Sequence, residues 1–113
     1  MRKTLLLAGL AAALATGCSQ SPTDKAADQI ARAGHDRGEA IKTQADSQAK
    51  TMEQQASGLS AQAKAAGGYT GERLKVQAQA LIHEADIVRR QGKAQAQSAA
   101  EAADAQAKGI HSR

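Results

Sequence analysis

Tryptophan and phenylalanine are absent from the 113 residues, and tyrosine, proline and cysteine each occur once. Without large aromatics the chain lacks the contact area that dominates most cores, which argues against a conventional globular domain. The same shortage argues against an enzyme, because a short chain poor in large apolar side chains can hardly enclose a substrate pocket. The single cysteine has no partner for an intramolecular disulfide. Long hydrophobic runs are missing too: Leu5 to Leu14 is apolar throughout but spans about half of the roughly twenty residues that a membrane-crossing helix needs.

Charge of one sign is scarce once its position is considered. The formal charge is +4, but Arg2 and Lys3 supply two of those charges, so residues 18–113 carry +2. Neither a dense basic stripe nor a set of aromatics for base stacking is present, so no nucleic-acid partner is expected. Alanine and glutamine dominate the remainder, with charges of both signs interspersed. That composition suits long helices or a coiled coil, and it points to an all-α fold.

Arg2 and Lys3 followed by Leu5–Leu14 read as the positive and apolar regions of a secretory signal. The stretch ends in Ala15, Thr16, Gly17 and Cys18, which resembles the lipobox of bacterial lipoproteins, a small residue directly before a cysteine. That family usually has Leu three places before the cysteine; here Ala15 stands there, with Leu14 one place earlier. The resemblance implies cleavage of residues 1–17, a diacylglycerol thioether on Cys18 and a further acyl chain on the freed amine. Each buried methylene contributes about 0.8 kcal/mol and one acyl chain anchors only marginally, whereas two or more hold firmly. The alternative is an ordinary signal cleaved at Ala15 or Gly17, leaving a lone thiol in an oxidising compartment. In lipoproteins an Asp directly after the cysteine tends to retain the protein at the inner membrane. Ser19 stands here instead, which implies the periplasmic face of the outer membrane.

Beyond the anchor, residues 19–21 form a short linker, and Ser21, Pro22, Thr23 and Asp24 form a helix start: Ser as cap, Pro at the first position, an acid at the third. The pattern predicts a helix over residues 22–66, with a kink or restart around Gly34 and Gly38, where Asp36 and Glu39 have capping-box spacing. "AAGGYTG" puts three glycines in residues 67–71 and predicts a turn there, with Thr70 as a cap for a second helix over 72–108. Gly109 is the expected stop, with 109–113 as a tail. The expected architecture is a helical hairpin or a kinked coiled-coil rod; the alternative is a chain only partly helical until it meets a partner or a membrane.

Ile30, Ile41, Met52, Ala63, Leu74, Ala85, Ala96 and Ala107 recur every eleven residues. That period is three turns at 3.67 residues per turn and keeps one stripe facing a partner helix. In helix two a heptad reading competes, with Leu74, Leu81 and Val88 alternating with Ala78 and Ala85. Both periods predict a narrow seam, weak because an alanine contributes only about one methyl, near 0.8 kcal/mol.

Candidate chemistry is thin. His83 and Asp86 share a face next to Glu84, but two ligands on an exposed helix are not a metal site, since zinc wants three or four. His35 beside Asp36 reads as a polar turn, without a nucleophile. Arg89 and Arg90 are candidates for touching anionic head groups, or simply a hydrated face. Tyr69 is a contact residue or packs over the bend. Gly67, Gly68 and Gly71 follow no strand and lack the phosphate-loop lysine pattern. No catalytic residue, metal, cofactor or small-molecule substrate is expected.

Two roles follow. The first is a lipid-anchored envelope spacer or scaffold whose partners are the membrane, a second copy or another envelope protein. It resembles the small murein lipoprotein family in its signal and helical character, but that family ends in a lysine joined to peptidoglycan and this sequence ends "GIHSR", so wall attachment is not carried over. The second is a stress-protective amphipathic protein, similar in its eleven-residue, Ala- and Lys-containing pattern to late embryogenesis abundant proteins.

Overall fold

The computed structural model describes residues 21–112. They form two α-helices, α1 (Pro22–Ala66, 45 residues) and α2 (Gly68–His111, 44 residues), folded against one another as an antiparallel hairpin about 70 Å long. Ser21 caps α1: its Oγ accepts the Asp24 backbone N–H at 3.2 Å, with Pro22 at the first helical position. Helical structure is continuous through Gly34 and Gly38, so no restart occurs there.

The connection is shorter than the glycine content predicts. Only Gly67 lies between the helices, at φ 60° and ψ −177°, and Gly68 at φ 55° already belongs to α2. The Gly67 conformation lies in a region essentially closed to residues with a Cβ. Gly67 N–H donates to Ala63 O at 3.0 Å and Gly71 N–H to Gly67 O at 2.9 Å, so one residue both closes α1 and opens α2. Thr70 is therefore inside α2 and caps nothing. At the other end α2 passes Gly109 and stops at His111, where Ser112 N–H donates to Lys108 O at 3.1 Å.

The seam consists of the smallest residues. In α1 the buried positions are Ala27, Gly34, Gly38, Ala45, Ala49, Ala56 and Ala63; in α2 they are Gly71, Ala78, Ala85, Gly92, Ala103 and Ala107. Steps of seven and four alternate from Ala27 to Ala56 in α1, which is the eleven-residue period, before a last step of seven to Ala63; in α2 Gly71 to Gly92 is a strict heptad run, followed by steps of eleven to Ala103 and four to Ala107. Among the described residues no large side chain is fully buried.

Glycines explain how closely the helices approach. A Cβ on Gly92 would stand 2.2 Å from the Ala45 Cβ, one on Gly34 would stand 2.0 Å from the Ala103 Cβ, and one on Gly38 or Gly71 would press on a facing carbonyl oxygen at 2.8 or 2.7 Å. Each is a helix breaker by propensity, at about 1 kcal/mol relative to Ala. Here each is the hole into which the opposite helix fits.

Candidate functional site

The four bulky members of the predicted ladder, Ile30, Ile41, Met52 and Leu74, are half-buried rather than central. At 100° per residue the apolar side chains of α1 flanking the seam, namely Ile30, Ile41, Met52 and Leu59, fall on one side of it. From α2, Leu74, Leu81, Val88 and Ile110 fall on that same side of the hairpin. Ile41 and Val88 accordingly line one shallow open groove together with Gln44, Gln48, Gln91 and Gln95. A second groove on this side brings Ile30 and Arg37 next to Ala99 and Gln106. The result is a ribbon with an apolar, glutamine-rimmed side.

Cross-helix ionic contacts occupy the opposite side. Arg89 forms a two-pronged contact with Glu53, through Nη1 to Oε1 and Nη2 to Oε2 (3.1 Å for the latter), and its Nε lies 3.9 Å from Asp46 Oδ1. Hydrogen bonding from Arg89 holds the Glu53 carboxyl below the usual glutamate range, with partial burial opposing and the nearby Arg89 and Lys50 charges reinforcing. The same hydrogen bond raises the Arg89 guanidinium above its ordinary value. His35 Nε2 meets Asp104 Oδ1 at 3.2 Å, and His111 Nδ1 meets Asp24 Oδ1 at 2.8 Å. The latter contact ties the last turn of α2 to the first turn of α1, where an acid suits the positive helix end and a basic group the negative one.

The residues singled out by sequence sort accordingly. Arg89 spans the two helices instead of offering a free cation, and Arg90 pairs with Asp86 at 2.8 Å along α2. His35 turns to Asp104 on the other helix, not to Asp36. His83, Glu84 and Asp86 are all exposed, and among the described residues no group of three or more His, Cys, Asp or Glu side chains is placed to hold a metal. Tyr69 is 80% exposed at the turn, beside Val76 at 64%. Cys18, the one residue with an expected chemical role, lies outside the described residues, as does the whole signal region.

No family model, curated protein or solved structure matches the chain. Its character has to come from its own geometry. What sequence reasoning misses is the sidedness of the hairpin. The signal is present: Gln44, Gln48, Gln55 and Gln62 track the apolar positions of α1, while Lys42, Lys50 and Lys64 fall on other faces. It becomes legible only once the antiparallel pairing is known, because the two helices have to be set side by side before their flanks merge.

Proposed function

We propose that this protein is a small lipid-anchored spacer or interaction scaffold of the cell envelope, held through acyl chains on Cys18 at the periplasmic face of the outer membrane. The observation that carries the reading is the placement of Cys18: it directly follows a short apolar run behind two basic residues and precedes the helix start at Pro22 by four positions. A rod that begins so close to the lipid projects its length away from the bilayer. Among the described residues no helix is long and apolar enough to cross a membrane. The role is structural, exercised through the sides of the hairpin.

Intact-mass measurement on the full chain extracted from membranes tests this. The expected mass lacks residues 1–17 and carries a diacylglycerol and a further acyl group; Cys18→Ser abolishes both additions and releases the protein from the membrane fraction. The mass of an unmodified polypeptide, or a protein that leaves cells soluble without detergent, overturns the anchor. Circular dichroism separates the scaffold from a stress-protective role: the scaffold is strongly helical in plain buffer, whereas helix that appears only with vesicles or drying supports the other.

A further inference from the structure

The seam uses alanine and glycine, so the half-buried aliphatic side chains of the hairpin are left along one side of it, open to a partner, while the more exposed Val76, Ile82 and Ile87 lie on other faces of α2. We propose that this apolar side is the interface for a second copy of the same chain, two hairpins stacking face to face as a four-helix bundle. The proposal deepens the scaffold reading and rests on it only in assigning function to an open side and not to a pocket.

Three observations select a second copy as the occupant. The first is the character of the rim. Glutamines border the apolar side on both helices, four on α1 at Gln44, Gln48, Gln55 and Gln62 and others on α2 at Gln77, Gln91, Gln95 and Gln106. An amide both donates and accepts hydrogen bonds, so a glutamine rim is complementary to itself across a twofold axis, as an isologous contact requires. A rim of one charge would repel its copy.

The second is where the cations are. A helix lying in an anionic membrane surface places Lys and Arg along the border of its apolar face. Here two cations, Arg37 and Arg73, border that face at separated points, whereas Lys42, Lys64, Lys75 and Lys93 lie on the ionic side of the ribbon, and Lys25, Lys50 and Lys108 on its back. Lys64 and Lys75 together line the groove beside the glycine turn on that ionic side. A lipid surface is thereby disfavoured as the occupant.

The third is size. Helices of about 67 Å, at 1.5 Å per residue, set side by side with a usable width of roughly 15 Å, present on the order of 1,000 Å². A standard stable interface needs about 800 Å² per partner. The apolar side is sufficient for a dimer without any other surface. Face-to-face stacking also places each helix beside antiparallel neighbours, the arrangement of up-and-down bundles.

The test is photocrosslinking of the full chain in intact cells, with a photoreactive amino acid in place of Ile41 or, separately, in place of Ser47 on the far side of α1. Activation at position 41 is expected to give a species of twice the chain's mass in which both crosslinked peptides come from this chain, and position 47 is expected to give none. In a second strain, Leu81→Glu with Val88→Glu should reduce the dimer formed from position 41 at least tenfold, while far-ultraviolet circular dichroism of the purified variant shows its helices intact. Crosslinks from position 41 to lipid or to a different protein, equal yields from positions 41 and 47, or no dimer in either strain overturn the proposal. Should the double variant lose its helices, the position 41 and 47 comparison in the otherwise unaltered chain still decides. The mass at Cys18, read on the same samples, reports the anchor independently, so failure of the dimer and failure of the tether are told apart.

Discussion

Gly92→Ala is the substitution most open to refutation, because propensity and packing give it opposite signs. In an exposed helix Ala is favoured over Gly by about 1 kcal/mol. Gly58 supplies that case: it lies mid-helix in α1, and a methyl added there would meet nothing within 4 Å, so Gly58→Ala should stabilise by up to ~1 kcal/mol. A methyl on Gly92 instead meets the Ala45 Cβ at 2.2 Å, while its next contacts, Ala45 Cα at 3.7 Å and Ile41 O at 3.8 Å, are ordinary. Overpacking a tight core costs about 1–3 kcal/mol, and subtracting the propensity gain leaves a net loss of up to about 2 kcal/mol. The decisive arm is the exchange. Ala45→Gly alone loses about 1 kcal/mol of propensity and about 0.8 kcal/mol of methyl burial. Combined with Gly92→Ala, the propensity terms cancel, the methyl is buried from the other helix and the single close contact is gone. The double variant should therefore sit near the parent, well above the sum of the singles, with a coupling of about 2–4 kcal/mol. Urea and thermal unfolding followed by far-ultraviolet circular dichroism read this out, at roughly 4–8 °C per kcal/mol for a chain of this size. If Gly92→Ala is as stable as Gly58→Ala, or if the exchange costs the sum of its parts, the glycines are not the holes of the seam.

Gly67→Ala should destabilise by about 1–3 kcal/mol, because a Cβ is forced into a backbone region reserved for glycine; a urea midpoint equal to the parent's would contradict the one-residue connection. The Glu53 carboxyl has its pKa lowered by Arg89, so its contribution to stability is complete above the ordinary glutamate range and is lost as pH falls through the lowered value. Stability measured from neutral to acid pH should decline less steeply in Glu53→Gln, and parallel curves would show that the pair carries no pH dependence. Tyr69→Ser, at a side chain that stands mostly in solvent, should shift stability by no more than about 0.5 kcal/mol; a larger loss would mean that the ring packs over the turn after all.

The all-α hairpin is legible in the sequence because alanine and glutamine carry their helix preference locally, and because Ser21, Pro22 and Asp24 announce the start of α1 wherever the chain goes next. Glycine carries no such message. Gly34 and Gly38 by themselves suggest a break, and only the carbonyl and methyl of the facing helix show them to be contact points. The turn expected at 67–71 is too long for the same reason: Gly71 is not loop but the first buried rung of α2, opposite Ala63. The eleven-residue period is real in α1, yet the seam does not follow the bulkiest residues in phase with it. Close packing reverses that choice. In this closely packed hairpin the centre goes to the smallest side chains and the half-buried large ones are displaced to the flank.

That displacement governs what the hairpin can do. Alanine at the centre returns about one methyl of burial per rung, so the helices are held by many small increments and by the contacts that span them on one side, Arg89 to Glu53 and Asp46, His35 to Asp104, His111 to Asp24. Exposed ion pairs contribute little to net stability, but they favour one register over its neighbours because each requires a particular pair of residues to be level. Fixing the register in this way aligns Ile30, Ile41, Met52 and Leu59 with Leu74, Leu81, Val88 and Ile110 on the other flank. A slip by one heptad would keep small residues opposed near the turn, where both helices step by seven, but toward the open end both mix steps of seven with fours or elevens and would lose their match. The mixed spacing toward the open end thus acts with the ion pairs to hold a single alignment, and a continuous apolar side is the consequence of that alignment.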